Sequence, residues 1–320
     1  MSLKVSNLSK KYPGKWVLRD VAFEAQNGEV TGIFAPNGAG KTTLLRILAG
    51  AETSNGGELF YDSNDVTKLS AEKRGFFLPG LKPKGFFGSV KVDDFRNADE
   101  QIAALEKGIE SAKEVLLLDD VFCFIDRKKR EDFFDKLRLA ATEKNLAIVF
   151  ATNNLEDVFA VCDRVAVLLK GEIQQLGTPR EVYEYPVNAA VAEATGRNNL
   201  IVARRLTSTK IDIPEFQTLA GEHRLFTDKT EKNALGSLTQ NVCLAIRPEY
   251  ISISFGASFP EDNLLKATIT EIRFQGSTTL IKLDANGLIL EALVLRLVGL
   301  NTGDECMVGL PPDRILVLKD

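Results

Sequence analysis

The chain has 320 residues, 44% apolar and 26% charged, which suffices to bury a core in about two domains and excludes intrinsic disorder. Forty basic against 44 acidic residues leave a formal charge of −4, so bulk electrostatics give no support to nucleic-acid binding. A single histidine, His223, excludes a His-rich metal centre, and the scattered cysteines Cys123, Cys162, Cys243 and Cys306 form no CxxC pair, which fits ordinary reduced, buried thiols.

The amino-terminal MSLKVSNLSKKYPGK has no apolar run of the signal-peptide kind, and no stretch approaches the roughly 20 apolar residues of a membrane span. A soluble cytoplasmic protein is expected. The first 30 residues read as paired strands: Val21, Phe23 and Ala25 alternate with polar neighbours, and Asn27-Gly28 supplies a turn. Val30 to Ala35 is a short apolar strand that runs into APNGAGKTT and a helix with Leu44, Leu45, Ile47 and Leu48 turned inward, stopped by Gly50. Val115 to Leu118 is a second buried strand. Asp126 caps a helix carrying Phe133, Leu137 and Ala141 on one face, and its basic run Arg127 to Arg130 reads as a solvated surface. Leu146 to Ala151 is a third apolar strand, the spacing of Leu155, Val158, Phe159 and Cys162 predicts a further amphipathic helix, and Val165 to Leu169 is a fourth strand. Buried strands alternating with helices predict a mostly parallel α/β sheet.

From Asn199 onward the segments are short and β-like: Val242 to Ile246, Ile251 to Phe255, Ala267 to Phe274, Thr279 to Leu283 and Leu288 to Leu293. They predict a small β-barrel or sandwich over residues 197–320, after an α/β domain over 1–196. His223, in the turn-like GEHR, is expected in an exposed loop, and Arg247 in a structural ion pair.

The strongest chemical signal is Ala35 to Thr43. A loop between a buried strand and a helix aims backbone N–H groups and the positive end of a helix dipole at a phosphate. Gly38 and Gly40 let the backbone of Asn37, Gly38, Ala39 and Gly40 wrap closely, Lys41 reaches the β and γ phosphates, and the Thr42 hydroxyl, followed by Thr43, ligates Mg²⁺. Ala35 stands where the usual pattern has glycine. VLLLDD, Val115 to Asp120, fits the partner strand, with Asp119 delivering a carboxylate toward the metal at the carboxyl edge of the sheet.

With these motifs the chain resembles the ATP-binding subunits of ABC transporters, in the importer branch of the maltose, spermidine, sulfate and ferric-ion systems. The resemblance extends to Tyr12 in KKYPG, where that family has an aromatic that stacks on adenine, and to SNGGELFYDSNDVTKL. It extends also to GTPREVYEYP, Gly177 to Pro186, and to CLAIRPEYI, Cys243 to Ile251, which is similar to the hallmark of a TOBE domain. It implies a P-loop NTPase core of the ABC type, an OB-like TOBE barrel, ATP and Mg²⁺ as cofactors, a homodimer or a heterodimer with another ATPase subunit, and a membrane permease at whose inner face the chain would sit.

The departures from that family fall on hydrolysis and coupling. Asp120 stands where the family has a water-polarising glutamate, and Asn153, in ATNN, where it has a switch histidine. Gly75 to Glu100 holds no Q-loop glutamine, and the LSGGQ position, Phe95 to Asp99, reads FRNAD. The interval before Asp119 is too short for a full helical subdomain, leaving a reduced one over about 76–114. Its Gly-, Pro- and Phe-rich start is expected to pack rings over the bared sheet edge, the other reading being an exposed apolar patch for a partner. A protein that binds MgATP with weak or no hydrolysis is therefore expected. The alternatives are an active ATPase subunit energising solute import and a non-enzymatic nucleotide-responsive regulator or scaffold.

Overall fold

The computed structural model describes residues 1–79, 98–122, 125–210, 213–228, 235, 237–254, 263–295 and 299–318. The chain forms two compact units, Met1–Glu184 and Tyr185–Asp320.

The first unit opens with a hairpin, β1 (Ser2–Tyr12) and β2 (Lys15–Gln26), closed by the pairing of Tyr12 with Lys15. Its alternation turns Leu3, Val5 and Leu8 of β1, and Val21, Phe23 and Ala25 of β2, into the core. A second sheet holds β3 (Val30–Phe34), which every side chain's burial marks as central. After it the chain forms α1 (Lys41–Leu48), then β4 (Gly56–Tyr61) and the short β5 (Asn64–Asp65), which complete the first sheet in the order β2-β1-β4-β5. The four-residue helix α2 (Ala71–Arg74) and the longer α3 (Ala98–Ser111) precede β6 (Val115–Asp119). Then come α4 (Arg127–Lys144), β7 (Ala147–Thr152), α5 (Leu155–Val161), β8 (Arg164–Leu169), β9 (Glu172–Gly177) and α6 (Pro179–Glu184). The second sheet has the order β6-β7-β3-β8-β9, parallel through its first four strands and antiparallel at β9. Mostly apolar runs make the four parallel strands because both their faces are covered, whereas β9 is more polar and mostly half-buried.

Local chemistry fixes the helix ends. The Asp126 side chain accepts from the Lys129 amide, and α4 ends on Asn145 in a left-handed turn at φ 52°. At α6, Thr178 and Glu181 form a reciprocal pair: the Thr178 amide donates to the Glu181 carboxylate and the Glu181 amide to the Thr178 hydroxyl. Within the basic run, Arg127, Lys128 and Lys129 are exposed as expected, but Arg130 pairs with the buried Asp157 of α5 at 3.0 Å.

Ahead of β6, Phe76 to Pro79 pack inward. Phe76 and Leu78 join the core, with Phe76 edge-on to Tyr61 at 5.6 Å, and Phe77 pairs in parallel with Leu116 of β6. Gly108 of α3 lies against Pro79, Phe77 and Leu116; a Cβ there would stand 3.1 Å from Pro79. Phe86, Phe87 and residues 95–97 of FRNAD lie outside the described residues, while Ala98 and Asp99 open α3. Arg74 is buried, and its guanidinium donates to the carbonyls of Ile47, Leu48, Thr67 and Leu69, closing off the C-terminal end of α1.

The second unit starts with α7 (Ala189–Ala194). Its strands are β10 (Asn199–Leu206), β11 (Glu215–Thr218), β12 (Arg224–Phe226), β13 (Asn241–Ile246), β14 (Ser252–Ser254), β15 (Asn263–Phe274), β16 (Thr279–Ala285), β17 (Leu288–Val294), β18 (Glu305–Leu310) and β19 (Leu316–Leu318). They form two five-stranded antiparallel sheets, β12-β11-β10-β13-β19 and β14-β18-β15-β16-β17, over one core that includes Ile201, Phe216, Leu244, Ile281 and Val308. The division falls ahead of residue 197 because α7 belongs here: Ala192 packs with Ala245 and Leu318. Arg247 is structural, through oxygen acceptors, donating to the carbonyls of Ala192 and Arg197 and to the Thr195 hydroxyl. His223 differs from the exposed loop residue expected of GEHR: it is half-buried, with Nε2 2.7 Å from the Ala285 carbonyl, which a donating ring nitrogen satisfies. Cys162 and Cys306 are buried, and burial pushes both thiols up; Cys123 lies outside the described residues.

Candidate nucleotide site

The loop between β3 and α1 lies at the carboxyl edge of the parallel sheet. Gly38 and Gly40 both take left-handed φ, 78° and 107°. At Gly40 the close approach is also steric, since a Cβ would come within 3.0 Å of Val17 and Leu18 on β2. The first helical bond runs from the Leu44 amide to the Gly40 carbonyl at 2.9 Å, so α1 starts directly from the loop.

Lys41 is 5% exposed and folds back over this loop. Its Nζ donates to the Ala35 carbonyl at 3.0 Å and to that of Pro36 at 3.4 Å, and lies 3.7 Å from Asp120 Oδ2. Asp120 adopts φ 46°, with its amide held by the Ala151 carbonyl at the end of β7, and its other carboxylate oxygen accepts a long bond, 3.3 Å, from the Asn153 amide. The Asn153 side chain reaches across to the loop and donates to Asn37 Oδ1 at 2.8 Å. The ends of β3, β6 and β7 thus bring Asn37, Lys41, Asp120 and Asn153 into one connected group.

Asp119 lies beneath, 3% exposed. Burial pushes its carboxyl up, a hydrogen bond with Thr42 opposes this, and the Asp120 charge adds to the rise. Its Oδ1 is buried and meets no hydrogen-bond donor. A buried carboxylate oxygen left bare beside a threonine hydroxyl is a hard-oxygen pair, and it fits Mg²⁺, which takes one or two protein oxygens and completes its shell from phosphates and water. Among the described residues no group of three or more His, Cys, Asp or Glu side chains forms a self-sufficient metal cage.

Tyr12, at the end of β1, is 39% exposed. Its hydroxyl bonds Glu52 Oε1 at 2.5 Å and has a hydrogen bond with Thr43; burial and then Glu52 push its pKa up. Asn37 to Thr43, Asp119, Asp120 and Asn153 therefore gather at the start of α1, and Tyr12 is linked to them through its hydrogen bond with Thr43. Sequence reasoning missed Lys10 and Glu52 beside Tyr12. No local pattern marks them, since their contacts span some forty residues of chain.

Residues 18–107 match the family model described as ABC transporter, and residues 244–318 match that of the TOBE domain. The chain is similar to a spermidine/putrescine import ATP-binding protein of Protochlamydia amoebophila, 28% identical with 85% of this chain and 83% of the relative covered. It is also similar to a sulfate/thiosulfate import ATP-binding protein of Bacillus cereus, 29% identical over 70% of this chain and 74% of the relative. Among solved structures, the ADP conformation of an ATP-binding cassette of an ABC transporter superposes with a TM-score of 0.51 at 16% identity, covering 61% of this chain and 98% of the cassette. That likeness speaks to the fold. Among the described residues no helix is long and apolar enough to cross a membrane.

Proposed function

We propose that this chain, related to the ATP-binding subunits of ABC importers and ending in a TOBE domain, binds MgATP and hydrolyses it slowly or not at all. The observation that carries this reading is the group formed by Lys41, Asp120, Asn153 and Asn37, in which the side chains at the two catalytic positions are engaged with the phosphate loop itself. The loop backbone and Lys41 would hold the phosphates, Tyr12 the base, and Thr42 with Asp119 the metal. Bound Mg²⁺ would supply charge neutralisation on the phosphate oxygens.

The chain's own residues then set the rate. A general base must stand within hydrogen-bond reach of the attacking water. Asp120 is shorter than glutamate and shares its carboxylate with Lys41, and Asn153 can donate a hydrogen bond to a phosphate oxygen but carries no positive charge and cannot shuttle a proton. Loss of a positioned base or donor slows turnover by about 10²- to 10⁴-fold, and such losses do not simply multiply.

A second reading, an active ATPase subunit for solute import, has one observation in its favour: Asp120 keeps a carboxylate, 39% exposed, next to the loop. The relatives' named cargoes, polyamines and sulfate, and a permease with a second ATPase subunit as partners belong to that reading. Calorimetric titration of ATP with and without Mg²⁺, beside an ATPase assay, separates the two. Saturable binding that Lys41→Ala abolishes, with turnover far below the usual enzyme range of about 1–10³ s⁻¹, supports the first. Turnover inside that range, lost in Lys41→Ala, establishes the second.

A further inference from the structure

Tyr12 is anchored at its tip, and the anchor is tied to the phosphate-loop helix. Glu52 accepts from the Tyr12 hydroxyl at 2.5 Å and pairs with Lys10 at 3.0 Å. Lys10 is itself fixed, its ammonium donating to the Thr53 carbonyl at 2.6 Å and lying 5.2 Å from the centre of the Tyr12 ring. The backbone holds the same arrangement: the amides of Ala51 and Glu52 both donate to the Arg46 carbonyl of α1, at 2.9 and 3.2 Å. Asn55 stitches the segment to β1, accepting from the Lys11 amide at 2.7 Å and donating its own amide to Ser9 at 2.8 Å. The Lys10–Glu52 pair is mostly shielded, at 11% and 20% side-chain exposure, whereas Tyr12 stays open to solvent. A ring held at both ends loses little freedom when a planar base settles on it.

From this geometry we infer that Glu52, with Lys10, is a positioning residue for nucleotide binding: it holds the Tyr12 ring ready to stack on the base, at a distance set from the phosphate loop through α1. The inference rests on the reading of Tyr12 as the base platform. The cluster's polar groups bond one another and the main chain, so the platform acts by stacking and favours any purine or pyrimidine triphosphate over a triphosphate without a base. The base-dependent part of affinity is then the quantity that Glu52 controls.

The test compares MgATP with inorganic tripolyphosphate, each titrated with Mg²⁺ against the full chain and its variants. Tyr12→Ala is expected to weaken ATP by roughly 5- to 150-fold, the usual worth of a base–aromatic stack, and to leave tripolyphosphate unchanged. Glu52→Ala and Tyr12→Phe are each expected to weaken ATP by about two- to tenfold, the scale of one side chain's ordering. Combined, they should weaken it by clearly less than the two losses together, because both remove the Tyr12–Glu52 bond. Glu52→Gln, which still accepts from the hydroxyl, should recover most of the loss. Unchanged tripolyphosphate affinity shows in every variant that the fold and the loop survive. Wild-type ATP affinity in Glu52→Ala, additive losses in the double variant, or an equal loss for tripolyphosphate would overturn the positioning role. An ATP to tripolyphosphate ratio unmoved by Tyr12→Ala would overturn it by a different route, removing the base platform on which it rests.

Discussion

Lys41 has two competing acceptors, the carbonyls of its own loop and the Asp120 carboxylate. A nucleotide phosphate must displace part of that arrangement, and Asp120 also repels it. Asp120→Asn is therefore expected to tighten ATP binding, by up to about fivefold given the modest worth of a partly exposed ion pair; weaker binding in a titration would count against the competition. Glu215 offers a separate test in the second unit. Burial alone would push its carboxyl up, but bonds from the Thr209 amide and hydroxyl, together with Arg224, hold it below the usual range. A lowered folded pKa means that its stabilisation is present above the unfolded value of about 4.3 and is lost as pH falls through the folded one. Acid unfolding followed by circular dichroism should therefore lose part of its pH dependence over that interval in Glu215→Gln, and an unaltered profile would refute the assignment. At this scale the phosphate-loop residues were legible because their chemistry requires a contiguous pattern. Arg74, Glu52 and the contact of His223 with Ala285 were not: Arg74 and His223 meet main-chain carbonyls, which carry no residue signature, and Glu52 meets the Tyr12 hydroxyl and the Lys10 ammonium some forty residues away.

The elements divide in the same manner. The strands of the parallel sheet and helices α1, α4 and α5 follow from apolar runs and period alone. Their packing does not. Gly32 in the middle of β3 looks like a weak strand residue, yet a Cβ there would lie 2.7 Å from Cys162 Sγ, so the glycine is what lets the end of α5 close onto the sheet. Gly32→Ala should destabilise the first unit by about 1–3 kcal/mol through overpacking, and chemical denaturation measures it. Arg74→Ala should be at least as damaging, since each buried carbonyl left without a donor costs about 1–3 kcal/mol. If its unfolding midpoint matched the wild type, Arg74 would have no part in holding the end of α1. The pairing of Phe77 with Leu116 was foreshadowed only as rings covering a bared edge: composition indicated burial, while the register with β6 depends on a long-range contact that composition cannot encode.

On the scale of the whole molecule, the change in texture near residue 197 reads as an α/β part followed by an all-β part, while the chain divides into compact units between Glu184 and Tyr185. The short helix α7 carried no β signal and was assigned to the wrong neighbour by texture, although its burial against β13 places it with the second unit. Since the candidate site lies wholly within Met1–Glu184, MgATP at about 100 times its Kd should stabilise that unit by about 2.7 kcal/mol. Calorimetry should show its transition shifted and that of the β unit unmoved. The central claim, a phosphate loop that binds without efficient chemistry, is tested most directly by a single turnover, with protein in excess over MgATP and the bound nucleotide recovered and analysed over time. The account predicts that bound nucleotide is recovered as ATP long after an enzyme turning over at about 1–10³ s⁻¹ would have finished. Complete conversion to ADP within the first seconds, absent in Lys41→Ala, would contradict it.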